Sequence, residues 1–248
     1  MSWPEIARIF ELPRTDEPEQ IDDPAQPFAE LKQSMRDVAL TNRLFGGTQT
    51  VLFHVARLLR DVPRGSEVRI LDIATGSADI PLALEAWGHR RGLKLTIVAV
   101  DNHEAMLRMA AETAPNVSLA LADALALPFP PRSFDLALCA LAFHHFGFEA
   151  SAQVLRAMDK LTTRGLIATD LKRDKLTLWG VQASFAALKA HPFTKHDGPA
   201  SVRRAFTPPE YRKMVGLSGV QNIRLHTHWY FRIALVQAKL GKITDTEL

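Results

Sequence analysis

The segment Val68-Arg69-Ile70-Leu71-Asp72-Ile73 constrains this chain more than any other. It is short, apolar and rich in β-branched residues, and it runs into the small-residue turn Ala74-Thr75-Gly76-Ser77-Ala78. A helix-like stretch follows, and a second apolar run, Ile97-Val98-Ala99-Val100, ends on Asp101. The order strand, glycine turn, helix, strand, acid predicts parallel strands joined by a right-handed crossover. It also suits a nucleoside: a tight turn lets backbone approach the ligand, and an acid one strand over accepts hydrogen bonds from ribose hydroxyls.

The alternation continues along the chain. Strands are predicted near 68–73, 95–100, 117–121, 134–139, 165–170, 222–228 and 230–237, and helices near 79–91, 104–113, 149–161, 175–190 and 208–216. The last two strands meet tightly at Trp229-Tyr230, so that pair should be antiparallel. Upstream, Phe28, Leu31, Met35, Val38 and Leu44 recur at roughly helical spacing until Gly46-Gly47. Thr48 starts a second amphipathic stretch carrying Val51, Leu52, Val55, Leu58 and Leu59. Five prolines within residues 1–27 exclude a long element there and predict an acidic arm, loosely ordered or draped over the domain. The expected organisation is therefore an arm over 1–27, a helical lid over 28–66 and a main domain over 67–248, with a substrate cap around 172–215.

Composition narrows the functional class. At 248 residues, 47% apolar and 23% charged, the chain suits one soluble α/β domain with additions. No window holds the ~18 apolar residues of a membrane helix, and the N-terminus lacks a basic start before an apolar core, so a cytoplasmic location is expected. A single cysteine, Cys139, excludes an internal disulfide and any multi-cysteine metal site. Charge is uneven: residues 1–37 carry nine acids and four bases, whereas 172–215 carry nine bases and three acids. Either the two segments lie against each other, or the basic one rims a mouth for an anionic acceptor. Nucleic acid would call for more bases interleaved with exposed aromatics, and none is expected as a partner.

Four motifs in order carry a resemblance to class I S-adenosylmethionine-dependent methyltransferases, over roughly residues 28–237. The group it most resembles contains the quinone-biosynthesis methyltransferases and their small-molecule relatives. The resemblance implies a Rossmann-like α/β fold: a seven-stranded, mostly parallel sheet with one antiparallel strand, and an N-terminal helical lid. In the first motif, Asp72 resembles the acid that holds the turn near the methionine part of S-adenosylmethionine, with Ala74, Thr75 and Gly76 at the ligand. Ala74 and Ala78 stand where many relatives have glycine, which costs about 1 kcal/mol if φ is positive there. Asp79 reads as a cap for the next helix. Asp101 of the second motif resembles the ribose ligand, with Asn102 and His103 on the adenine side. In the third, Ala122-Asp123-Ala124-Leu125, Asp123 resembles the adenine ligand, Ala124 lends its backbone and Leu125 packs. In the fourth, Cys139 and Ala140 end a strand beside the sulfonium, ahead of Phe143, His144, His145 and Phe146. Asn42-Arg43-Leu44-Phe45-Gly46-Gly47-Thr48 resembles a segment that covers the cofactor.

Methyl transfer from a sulfonium is one displacement, so the protein must align the acceptor and keep the site dry. A phenol acceptor, with a pKa of about 10, gains from a base near neutrality, and histidine suits that role. His144, His145 and His196 are the candidates, His196 beside an orienting Asp197. Asn42, Phe143, Asp170, Arg203 and Arg204 are candidate acceptor contacts, and the aromatics Phe143, Phe146, Trp179 and Phe185 either line an apolar acceptor site or belong to the core. Residues 194–208 read as a loop ending in a helix cap at Thr207. No metal is expected, because no carboxylate or further histidine lies at ligand spacing near His144-His145. The reading is methyl transfer to a small aromatic or polyketide-like acceptor, with oxygen slightly ahead of carbon. Two alternatives stand: a methyltransferase-like protein that binds without catalysis, and an NAD-binding oxidoreductase, which would need more than the one glycine of this turn.

Overall fold

Seven strands form one sheet in the order β3-β2-β1-β4-β5-β7-β6. They are β1 (Glu67–Ile73), β2 (Lys94–Asp101), β3 (Ser118–Leu121), β4 (Phe134–Ala140), β5 (Thr162–Leu171), β6 (Ile223–His228) and β7 (Arg232–Ala238). β7 runs antiparallel to both β5 and β6, and the other neighbours pair in parallel. The computed structural model describes residues 10–23, 25–228 and 231–239, so the expected Trp229-Tyr230 turn lies outside the described residues.

Eight helices accompany the sheet among the described residues: α1 (Phe28–Leu44), α2 (Gly47–Leu58), α3 (Asp79–Arg91), α4 (Glu104–Thr113), α5 (Phe148–Leu161), α6 (Lys175–Ala187), α7 (Pro192–Arg204) and α8 (Pro208–Ser218). The central strands are apolar on both faces because helices cover both. Val68 and Ile70 of β1 pack with Val51 and Val55 of α2, with Leu59 just past its end, and with Leu84 of α3. Leu71 and Ile73 point the other way, toward Val154, Leu155 and Met158 of α5 and Tyr211 and Met214 of α8. A Cβ on Gly165 would fall 2.0 Å from the Gln237 carbonyl oxygen, so β5 approaches β7 closely only with glycine there.

Two features roof the carboxyl ends of the strands. Leu31 and Met35 of α1 join Met106 and Met109 of α4 and Phe193 of α7 in a separate apolar cluster. The arm is draped over the molecule where it is described. Phe10 accepts a backbone hydrogen bond from Lys175, Arg203 accepts one from Thr15, and a 3₁₀ turn at Gln20–Asp22 donates two N–H groups to the Asp197 carboxylate. The acidic and basic segments thus lie against each other.

The expectation of a loop over 194–208 is corrected: most of it is α7, with Pro192 in the first turn and Pro199 inside the helix. Gly198-Pro199 is a helix breaker by local propensity, but a Cβ at Gly198 would meet the Phe185 ring at 2.0 Å. Close packing of α6 on α7 selects glycine there and overrides the local preference. Thr207 does cap α8, in a capping box with Glu210.

Candidate active site

One cavity of about 600 Å³ opens above the carboxyl ends of β1, β2 and β4, beneath α1, α7 and the arm. One end of it is made by the β1 turn. Gly76 has φ of 56°, and Ala74 and Ala78 also sit in the left-handed region at 55° and 60°. The alanines accept strain that glycine would avoid. Asp101 accepts N–H bonds from Gly76 at 2.9 Å and His103 at 3.0 Å, which ties the turn to the next strand. Asp72 accepts from Thr75 Oγ1 at 2.7 Å. Asp79 lies in the first turn of α3, faces the cavity, and accepts from Asn42 at 3.1 Å and from backbone N–H groups of that turn.

Burial dominates these three acids and raises all of them. The Asp72 carboxyl is pushed up to about 7, with the Thr75 bond opposing and the charges of Asp79 and Asp101 adding to the rise. Asp79 and Asp101 rise as well, less than burial alone demands, because Asn42 and backbone N–H groups hold them. Arg232 of β7 also lines the cavity, with Nη2 3.3 Å from Asn42 Oδ1 and its Nε buried without a partner among the described residues. Burial lowers its guanidinium to about 10.

The opposite end is built differently. A 3₁₀ turn at Phe143–His145 follows β4. Asp170, at the end of β5, accepts the His144 backbone N–H at 2.9 Å and faces its Nδ1 at 2.8 Å. His145 Nδ1 stands 2.8 Å from Asp22 of the arm. Burial would depress His144, yet Asp170 and Glu19 outweigh it and its pKa rises. Burial would raise Asp170 and Asp22, but His144 holds the first down, and His145 and Arg204 hold the second well below the usual carboxylate range.

The structure brings together most of the expected site. Asn42, Asp72, Ala74, Thr75, Gly76, Asp101, Asn102, His103, Asp123, Ala124, Ala140, His144, His145, Phe146, Phe185 and Arg204 all line the cavity. Six expectations are corrected. Cys139 and Phe143 point into the core that packs on α5, because side chains alternate across β4 and the 3₁₀ turn swings Phe143 inward. Asp170 is buried behind His144 and does not line the cavity. Arg203 does not line the cavity, and its carbonyl accepts the Thr15 N–H. His196 does pair with Asp197 at 2.9 Å, but its side chain is 43% exposed and outside the cavity. Trp179 is 70% exposed, so it neither lines the site nor joins the core.

Glu19, Asp22 and Arg232 escaped the sequence reading. The arm gave no periodic pattern that would direct Glu19 inward, and Arg232 sits in an otherwise apolar strand. The expectation of no metal assumed that no carboxylate was near the histidines. The chain supplies Glu19 from over a hundred residues upstream, 3.5 Å from His144 Nε2.

Residues 70–165 match the family described as methyltransferase domain. Over those residues the chain is similar to methyltransferase domains. A demethylmenaquinone methyltransferase of Deinococcus radiodurans is 37% identical over 82 residues, which is 32% of this chain and 32% of that protein. A ubiquinone/menaquinone biosynthesis C-methyltransferase of Rickettsia bellii is 36% identical over 83 residues, 31% of this chain and 33% of that protein. The chain thus spans about a third of the length of the curated relatives it matches. A crystal structure of a SAM-dependent methyltransferase from Aquifex aeolicus superposes with a TM-score of 0.57 at 17% identity, over 85% of this chain and 97% of that one, a likeness of fold.

Proposed function

We propose that this protein transfers the methyl group of S-adenosylmethionine to a hydroxylated, largely apolar small molecule, with oxygen as the methylated atom. The carrying observation is the polarity of the cavity of about 600 Å³. Its donor end buries Asp72, Asp79 and Asp101, each pushed up by burial and none held by a lysine or arginine among the described residues. A ligand carrying a sulfonium and an ammonium group supplies the missing positive charge there. In this reading Asp101 holds the ribose, Asn102, His103 and Asp123 meet the adenine, and the turn Ala74–Gly76 lies along the methionine part. Ala140 and Leu141 then lie beside the sulfonium.

The acceptor end combines apolar walls, Leu141, Phe146, Val181 and Phe185, with the polar group of His144, His145 and Arg204. That lining fits an aromatic or polyketide-like ring whose hydroxyl faces the two imidazoles, which activate the oxygen. A second reading, methylation at ring carbon of a quinol, is favoured by the alignment to the Rickettsia C-methyltransferase. The test is calorimetry with S-adenosylhomocysteine, followed by incubation of labelled S-adenosylmethionine with a panel of phenols and quinols and mass-spectrometric identification of products. Stoichiometric S-adenosylhomocysteine binding and an O-methylated product support the reading. A carbon-methylated product selects the second, and absence of S-adenosylhomocysteine binding removes both.

A further inference from the structure

We infer that Glu19, His144 and His145 form a binding site for a divalent transition-metal cation, of the zinc class, on the acceptor wall of the cavity. Three ligand atoms, one from each residue, lie within 4.8 Å of one another. His144 Nε2 is 3.5 Å from Glu19 Oε1, close to the separation of about 3.3–3.5 Å that two ligands keep around one tetrahedral ion with bonds near 2 Å. His145 Nε2 lies 4.0 Å from the other Glu19 oxygen.

The surroundings point the same way. Each imidazole has its Nδ1 2.8 Å from a carboxylate oxygen, Asp170 for His144 and Asp22 for His145. With Nδ1–H donated outward, each neutral ring turns the Nε2 lone pair toward Glu19. That carboxylate–histidine arrangement is how proteins set the tautomer of metal-ligating histidines. Glu19 is itself oriented: Ser201 Oγ donates to its Oε2 at 2.7 Å, and Arg204 lies 3.4 Å from its Oε1. Two ring nitrogens and a carboxylate converging on one point need either protons or a cation between them. Counting the carboxylates that touch the rings against Arg204 leaves a net charge of −2 with neutral imidazoles. A divalent ion cancels it.

Three protein ligands leave a fourth position, and all three line the cavity. An acceptor oxygen bound there would lose its proton more readily; this last role rests on the methyltransferase reading above, whereas the cation site does not.

The test strips the full chain with a chelator, titrates it with zinc chloride or cobalt chloride, and counts metal per chain after desalting. One equivalent, with cobalt d–d bands typical of nitrogen and oxygen ligation, is expected. Glu19→Gln and His145→Gln should each weaken zinc at least tenfold, and Asp22→Asn by about 10–100-fold as an outer partner. His54→Gln should leave binding intact, because His54 pairs with His228 at 2.9 Å on α2 and β6. Substoichiometric zinc, or loss in His54→Gln, overturns the proposal. So does undiminished zinc in both Glu19→Gln and His145→Gln. S-adenosylhomocysteine calorimetry on the same samples reports the donor end separately: zinc binding without it sinks the methyltransferase reading and spares the cation site. Should a variant fail to fold, the wild-type stoichiometry and cobalt spectrum decide alone.

Discussion

The two ends of one cavity treat carboxylates in opposite ways. At the donor end, burial raises Asp72, Asp79 and Asp101. At the acceptor end, Asp22 and Asp170 are lowered, because His145 and Arg204 reach the first and His144 the second. Burial pushes in the same direction at both ends; what differs is whether the chain supplies the opposite charge. The acceptor end draws on Arg204 and on protons carried by its own histidine rings, which a bound cation would replace. The donor end keeps a charge deficit that suits a cationic ligand.

The largest expected effect comes from breaking the self-paired end. Asp170→Ala leaves His144 buried without its partner, and removing one member of a buried pair costs about 3–5 kcal/mol of stability. Chemical denaturation measures it, and a loss near zero would mean that the pair does not stabilise the fold. Next is the donor end: Asp101→Ala should weaken S-adenosylhomocysteine binding by about 1–3 kcal/mol through lost hydrogen bonds to a buried partner. Unchanged affinity in calorimetry would remove the ribose assignment.

The charge deficit itself has a pH signature. Asp72 has a folded pKa of about 7 against an ordinary 3.8, so its contribution to ligand-free stability is complete below the lower value and lost as pH rises through the upper one. Between about pH 6 and 8 that is a loss on the order of 1 kcal/mol, absent in Asp72→Asn. Parallel denaturation curves for the two proteins over this range would refute it. The smallest effect concerns the turn: Ala74→Gly removes a left-handed alanine at φ of 55° and should stabilise by about 0.5 kcal/mol. A destabilised variant would show that the Ala74 methyl matters more than the backbone strain.

The donor end was legible because its parts are local. Asp72, Gly76, Asp101 and Asp123 each lie at or just past the end of a strand, and strand ends in a parallel sheet gather along one edge. The acceptor end was only half legible. His144 and His145 stand out as a pair, but their partners come from an arm that looked featureless and from a strand end read as a substrate contact. Helix α7 was missed because the signal that explains Gly198 is the Phe185 ring, which belongs to a neighbouring helix.

Periodicity and turn chemistry alone therefore determined the sheet, its crossovers and the acids along its edge, since these follow from short-range sterics and the hydrophobic alternation of each segment. Which carboxylates meet the histidines, which side chains turn away from the cavity, and where opposite charge is lacking were decided by the tertiary structure. Electrostatic partnership depends on distances of a few ångströms between residues as far apart as Glu19 and Arg204, and no local pattern encodes those distances.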